Sequence, residues 1–152
     1  MMSTPDPVLR VEARGRVRAL TLNRPGALNA FNDALYTAFA KSLSEAATSP
    51  EVAAVIVTGE GRAFSAGQDL AELGDSRSHA ERQQAGFGAF IAALESFPKP
   101  LIAAVNGLGV GIGLTMLLHC DLVLVCENAR LRVPFASLGV TAEAGSSLLL
   151  AQ

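Results

Sequence analysis

Two glycine-bearing segments hold the residues best suited to chemistry. The first, Phe64-Ser65-Ala66-Gly67-Gln68-Asp69-Leu70, follows an apolar run at 52–57 that closes in Thr58-Gly59. The second reads Asn106-Gly107-Leu108-Gly109-Val110-Gly111-Ile112-Gly113. Small residues and a glycine just past a strand let main chain approach a ligand closely. Two such turns are able to aim two backbone N–H groups at one point, which is the environment an enolate oxygen needs.

The remaining reactive side chains fit quieter roles. The 107–113 glycines have neither G-x-G-x-x-G spacing nor a G-K-[ST] ending, which sets nucleotide loops aside. Ser146 and Ser147 lack a Gly-x-Ser-x-Gly elbow, so acyl transfer through serine does not fit. His79 and His119 are isolated, with surface or satisfied roles expected, and no spacing suggests a metal site. Asp69 is placed to cap or orient its turn. Taken alone, Glu143 reads as a carboxylate at the start of a helix near Gly145.

These residues need a packed frame, and composition provides one. Hydrophobic residues make up 50% of the 152-residue chain and charged residues 17%, so one folded domain over 1–152 is expected rather than disorder. A net charge of -2 without a Lys/Arg run argues against nucleic-acid binding. Cys120 and Cys126 lie in or beside apolar sequence and read as free, buried thiols in a reducing compartment. The first residues lack a secretory pattern and the last are no peroxisomal address, which leaves a cytoplasmic expectation. Residues 101–120 carry no Asp, Glu, Lys or Arg and are long enough to span a bilayer. Asn106 and four glycines interrupt them, so strand, turn and buried helix are expected instead of a membrane segment.

Alternation over 9–13, a turn at Arg14-Gly15 and a second run over 16–22 predict a hairpin. Asn23-Arg24-Pro25-Gly26 reads as a loop. Asn32 caps a helix that carries Leu35, Phe39 and Leu43 on one face. A second helix is expected over 79–97 with Phe87, Ile91 and Leu94 on one stripe, weakened by Gly86 and Gly88. Phe39, Phe87, Phe90 and Leu94 are assigned to the core. After Pro98-Lys99-Pro100 come a buried strand at Leu101–Val105, a buried helix over 111–119, a strand over 122–126 and a short one over 131–133. Residues 145–152 look like the first turns of a helix. Strand pairs alternating with helices make the class α/β. No internal repeat is visible.

Leu22-Asn23-Arg24-Pro25, Leu28-Asn29-Ala30, the Phe64 segment and Lys99-Pro100-Leu101-Ile102-Ala103-Ala104-Val105-Asn106-Gly107 follow one another along the chain. Cys120-Asp121-Leu122 and Pro134-Phe135-Ala136-Ser137-Leu138-Gly139 complete the series. In this order they resemble the N-terminal core of the enoyl-CoA hydratase/isomerase (crotonase) superfamily. The resemblance implies a crotonase-like spiral of repeated strand-strand-helix units, with the C-terminal helical region that closes the acyl site absent and the chain apparently truncated. It implies an acyl-CoA thioester as partner, coenzyme A only as part of the substrate and no other cofactor, and a homo-trimer or hexamer at full length. By position in the motifs, the oxyanion donors are the N–H groups of Gln68 and Ile112. Ala27, Ala66, Gly67, Asp69, Leu70, Gly111 and Phe135 are the implied substrate contacts.

Departures from the pattern narrow the reaction. Hydratases of the superfamily carry two glutamates; their places here hold Thr115 and Phe135. The segment Leu138-Gly139-Val140-Thr141-Ala142-Glu143-Ala144-Gly145-Ser146-Ser147 is similar to the loop of Δ3,Δ2-enoyl-CoA isomerases, in which a glutamate moves the proton. The resemblance thus implies an isomerase with Glu143 as base, its pKa raised by apolar walls from Val133, Phe135 and Leu138. Hydration, another crotonase-type reaction, or an inactive acyl-CoA binder are the alternatives.

Overall fold

The structure, a computed structural model, describes residues 6–73 and 86–151. Leu9–Arg14 (β1) and Val17–Leu22 (β2) form the expected antiparallel hairpin around Gly15. Asp33–Thr48 (α1) starts where Asn32 accepts a hydrogen bond from the Leu35 N–H, and it buries Leu35, Phe39 and Leu43 completely. Its C-terminal carbonyls have no partner within the helix. Lys99 Nζ supplies one, donating to Ala46 and Ser49 carbonyls at 2.6 and 2.7 Å.

A strand-strand-helix unit then occurs three times. The first is Ala54–Gly59 (β3), Ala63–Ser65 (β4) and Leu70–Leu73 (α2). Gly88–Glu95 (α3) follows and lies on α1. The second unit is Leu101–Val105 (β5), Leu108–Val110 (β6) and Ile112–Thr115 (α4), which continues as a 3-10 turn over Met116–His119. The third is Leu122–Val125 (β7), Leu131–Arg132 (β8) and Phe135–Leu138 (α5), before a last short helix, Ser146–Leu149 (α6). First strands join the hairpin in a five-stranded sheet of order β1-β2-β3-β5-β7; second strands form a three-stranded sheet, β4-β6-β8. All pairings after the hairpin are parallel. Parallel neighbours end at the same sheet edge, so the loops after β4 and β6 emerge side by side.

Several expectations change. The segment at 106–113 is not one turn: Leu108–Val110 is a strand, and the turn contracts to Gly111, where φ is 53°. A methyl group at position 109 would lie 2.6 Å from the Leu131 side chain, so glycine here serves close packing inside a sheet. The strand expected from 52 begins at Ala54. Of the helix expected over 79–97, the described part is Gly88–Glu95, while His79 lies outside the described residues. Its buried residues are Phe90 and Leu94, with Phe87 and Ile91 at the margin of the core. Cys126 is exposed rather than buried; both cysteines are free. Burial, reinforced by Asp121, pushes the Cys120 thiol up to about 12, which keeps it protonated. No described helix is long and apolar enough to cross a membrane, since residues 101–120 divide into strands and short helices. Among the described residues no cluster of His, Cys, Asp or Glu is suited to a metal.

One core lies between the large sheet and the α1–α3 pair. Phe31 anchors it, 4.9 Å from Tyr36 and 5.3 Å from Phe90 between ring centroids. Offset and tilted ring pairs of this kind add stability beyond their buried area.

Candidate active site

Asn29 is fully buried in left-handed backbone, with φ at 57°. Its side-chain amide donates to the carbonyls of Glu60 and Ala63 at 2.9 and 2.8 Å, and its Oδ1 accepts from the Arg24 N–H at 2.9 Å. Its main-chain carbonyl accepts from Ser65 Oγ at 2.9 Å, and that oxygen accepts in turn from the Gly67 N–H at 3.2 Å. The Ala66 N–H donates to the Leu28 carbonyl at 2.9 Å. A buried polar network with every member satisfied holds one geometry. Here that geometry is the turn at Gly67.

The next residue is oriented by a parallel bridge to Phe31. Phe31 donates to the Gly67 carbonyl at 2.7 Å and the Asp69 N–H donates to the Phe31 carbonyl at 2.8 Å. In a parallel bridge these flanking bonds turn the central residue's own N–H the other way. The Gln68 N–H therefore points away from Phe31 and has no acceptor among the described residues. Tyr36 OH donates to Gln68 Oε1 at 2.7 Å, tying the residue to the aromatic core.

The second donor opens α4. An α-helix leaves its first N–H groups without intrahelical partners. Thr115 and Leu114 bond back to the Gly111 carbonyl, while the Ile112 N–H has no acceptor among the described residues. The helix sits close against the first turn: a methyl group at Gly113 would lie 2.5 Å from the Ser65 carbonyl oxygen, and one at Gly67 would lie 2.7 Å from that of Val110. Only glycine fits either place. The two glycine-bearing segments expected to converge do so, with Gly67 Cα 4.0 Å from the Cβ position of Gly111.

Glu143 completes the group. Its Oε1 is 3.9 Å from that same Cβ position. Helix α6 is capped by Gly145 without a side-chain bond, so the Glu143 carboxylate does not serve as its cap. The side chain is part-buried, and burial raises its pKa above the ordinary carboxyl value. The backbone beside it is unusual: Ala144 has φ 52° and Gly145 has φ 67°, both left-handed. His119 Nε2 bonds the Ala144 carbonyl at 2.9 Å.

The other sequence-derived positions divide. Gly67, Gly111, Gln68 and Ile112 line the convergence directly. Asp69 accepts from the Ala71 N–H at 3.1 Å and pairs with Arg24 at 2.9 Å, so its carboxylate fixes the turn. Leu70 is 72% exposed and opens α2. Ala27 and Ala66 are half-buried, and Phe135 is half-buried at the start of α5. Leu138, expected as a wall, is exposed. Thr115 is fully buried and its hydroxyl has no partner among the described residues. Asn29, Ser65, Tyr36 and His119 carry positioning duties that sequence reading assigned to none of them. Asn29 and Ser65 had a signal, their places in the Leu28-Asn29-Ala30 piece and the Phe64 segment.

Comparison with known proteins identifies relatives of this chain. A family profile described as enoyl-CoA hydratase/isomerase matches residues 12–152. Among curated proteins, the 2,3-dehydroadipyl-CoA hydratase of Escherichia coli K12 is 41% identical over 139 residues, 91% of this chain and 54% of that protein. The 1,2-epoxyphenylacetyl-CoA isomerase of the same organism is 34% identical, over 88% of this chain and 53% of its own length. Among solved structures, an enoyl-CoA hydratase from Mycobacterium marinum aligns with TM-score 0.85 and 54% identity, covering 95% of this chain and 68% of that one. An enoyl-CoA hydratase/isomerase from Pseudoalteromonas atlantica T6c aligns with TM-score 0.89 and 40% identity, covering 94% and 56%. The chain spans about half the length of the curated relatives it matches. The fold is the crotonase spiral.

Proposed function

We propose a function on one premise: the chain belongs to the enoyl-CoA hydratase/isomerase family. The substrate is an acyl-CoA thioester, and coenzyme A enters only as part of it. The reaction is the shift of a 3-enoyl-CoA double bond to the conjugated 2-enoyl position.

Glu143 takes a proton from C2, beside the thioester carbonyl. Electron density moves onto the carbonyl oxygen, and the dienolate so formed is held by the Gln68 and Ile112 N–H groups. Glu143, now protonated, returns the proton to C4. Atoms balance without water or a redox partner. Loss of one oxyanion donor typically costs about 2.7–4 kcal/mol in the barrier. A well-placed base contributes typically about 10²–10⁴-fold.

The observation that carries the reading is the Glu143 carboxylate beside Gly111, one residue from the Ile112 amide, with burial raising its pKa. In the full-length protein, Glu143→Gln should lower conversion of a 3-enoyl-CoA by about 10²-fold or more. A variant as active as the parent would overturn the assignment.

Hydration is the second reading, favoured by relatives such as the 2,3-dehydroadipyl-CoA hydratase. Thr115 and Phe135 stand where that route has its carboxylates. Loss of crotonyl-CoA absorbance at enzymatic rates would select hydration over isomerisation.

A further inference from the structure

We infer that His119 is a positioning residue that holds the Glu143 loop against the oxyanion amide through the Ala144 carbonyl. This rests on the reading of Glu143 as the proton carrier.

Locally the loop is closed by one turn, in which the Ser146 N–H donates to the Glu143 carbonyl at 2.9 Å. Ala144 is a non-glycine residue in left-handed backbone and Gly145 repeats that conformation, so two successive residues sit where L side chains are disfavoured. Helix α6 is four residues long and has no side-chain cap. Such geometry persists only where the surroundings over-determine it. Two contacts from distant parts of the chain add to that turn. The Ala144 methyl group is seated in the main core, with 8% of the residue exposed. The Ala144 carbonyl bonds His119 Nε2 at 2.9 Å. A carbonyl only accepts, so Nε2 carries the hydrogen, and it does so in both the neutral Nε2–H tautomer and the imidazolium.

His119 ends the helical stretch that Ile112 begins. Ile112 and Met116 are fully buried and Leu117 nearly so, which fixes this stretch in the core. One rigid piece therefore presents an oxyanion donor at its first residue and grips the base-bearing loop at its last. The spacing between amide and carboxyl is set by that piece rather than by contact between them.

The test uses the full-length protein, a 3-enoyl-CoA substrate, and the variants His119→Leu, His119→Gln and Glu143→Gln. Leu removes the donor; Gln places an N–H at a reach similar to Nε2. His119→Leu is expected to lower kcat by about 10²-fold, the scale of a 1 Å misplacement, with KM changed only a few-fold. The acid limb of its kcat/KM profile should move to lower pH as the carboxyl loses its buried setting, and His119→Gln should restore most of both. If His119→Leu does not fold, His119→Asn, whose amide is too short to reach, takes its place with the same expectation. A donor-free variant with parental kcat and an unmoved acid limb, alongside an inactive Glu143→Gln, would overturn the role of His119 alone. A fully active Glu143→Gln would instead remove the reading on which it rests.

Discussion

A carboxyl group that burial holds above its ordinary range, as at Glu143, releases its proton only at higher pH. Proton abstraction needs the ionised form, so the acid limb of kcat/KM is expected above the unperturbed carboxyl value of 4.5, and a pH-rate series measures it. The same shift acts on stability. The folded state binds this proton more tightly than the unfolded chain does, so this group's contribution to stability is fully present below pH 4.5 and is lost as pH rises through the raised folded value. Glu143→Gln, which never ionises, should therefore be more stable than the parent near pH 7, with the difference closing towards pH 4; urea titrations at both pH values check the sign. At this scale the places of Gln68 and Ile112 beside the glycine turns were legible, because each directly follows a glycine in a recognisable string. The sequence concealed the bonds that Asn29, Tyr36 and His119 make. Their partners, Ala63, Gln68 and Ala144, lie 34, 32 and 25 positions away, and no local spacing encodes such a bond.

Elements place these groups by close approach. Gly67 has φ 97°, and a methyl group there would lie 2.7 Å from the Val110 carbonyl oxygen. Gly67→Ala is expected to cost about 1–3 kcal/mol of stability from the backbone alone. It should also push β4 and β6 apart, so activity falls further than stability does; denaturation and kinetics on one preparation compare the two. Phe90 tests a different element. It locks α3 onto Phe31, Tyr36 and Phe39, and Phe90→Ala should cost about 3–5 kcal/mol in urea unfolding. The hairpin and α1 were legible because alternation, four-residue spacing and the Asn32 cap agree. Strands β4 and β6 were not, because three residues each, with a glycine in β6, resemble turns until a neighbouring strand pairs with them.

Across the whole molecule, the site draws on Gly67, Gly111 and Glu143, one segment from each successive part of the spiral. None of these segments forms it alone. Tyr36 is the single tyrosine and the chain has no tryptophan, so tyrosine emission reports the core beneath Gln68. Emission and far-UV circular dichroism should trace one coincident urea transition. An earlier emission change would mean that the Gln68 turn opens separately. The α/β class was legible from alternating strand and helix patterns and the spiral of strand-strand-helix units from motif order, whereas its three copies leave no repeat in the residues because they share geometry alone.

The proposed oxygen-binding pair belongs to the main chain, and that has a consequence for descent. Side chains along this lip are replaceable one at a time while Gly67, Gly111 and Gly113 keep the amides in place. Divergence will therefore alter which proton moves before it erases the grip on a carbonyl. Proteins bearing different reaction names can share this cradle nearly unchanged.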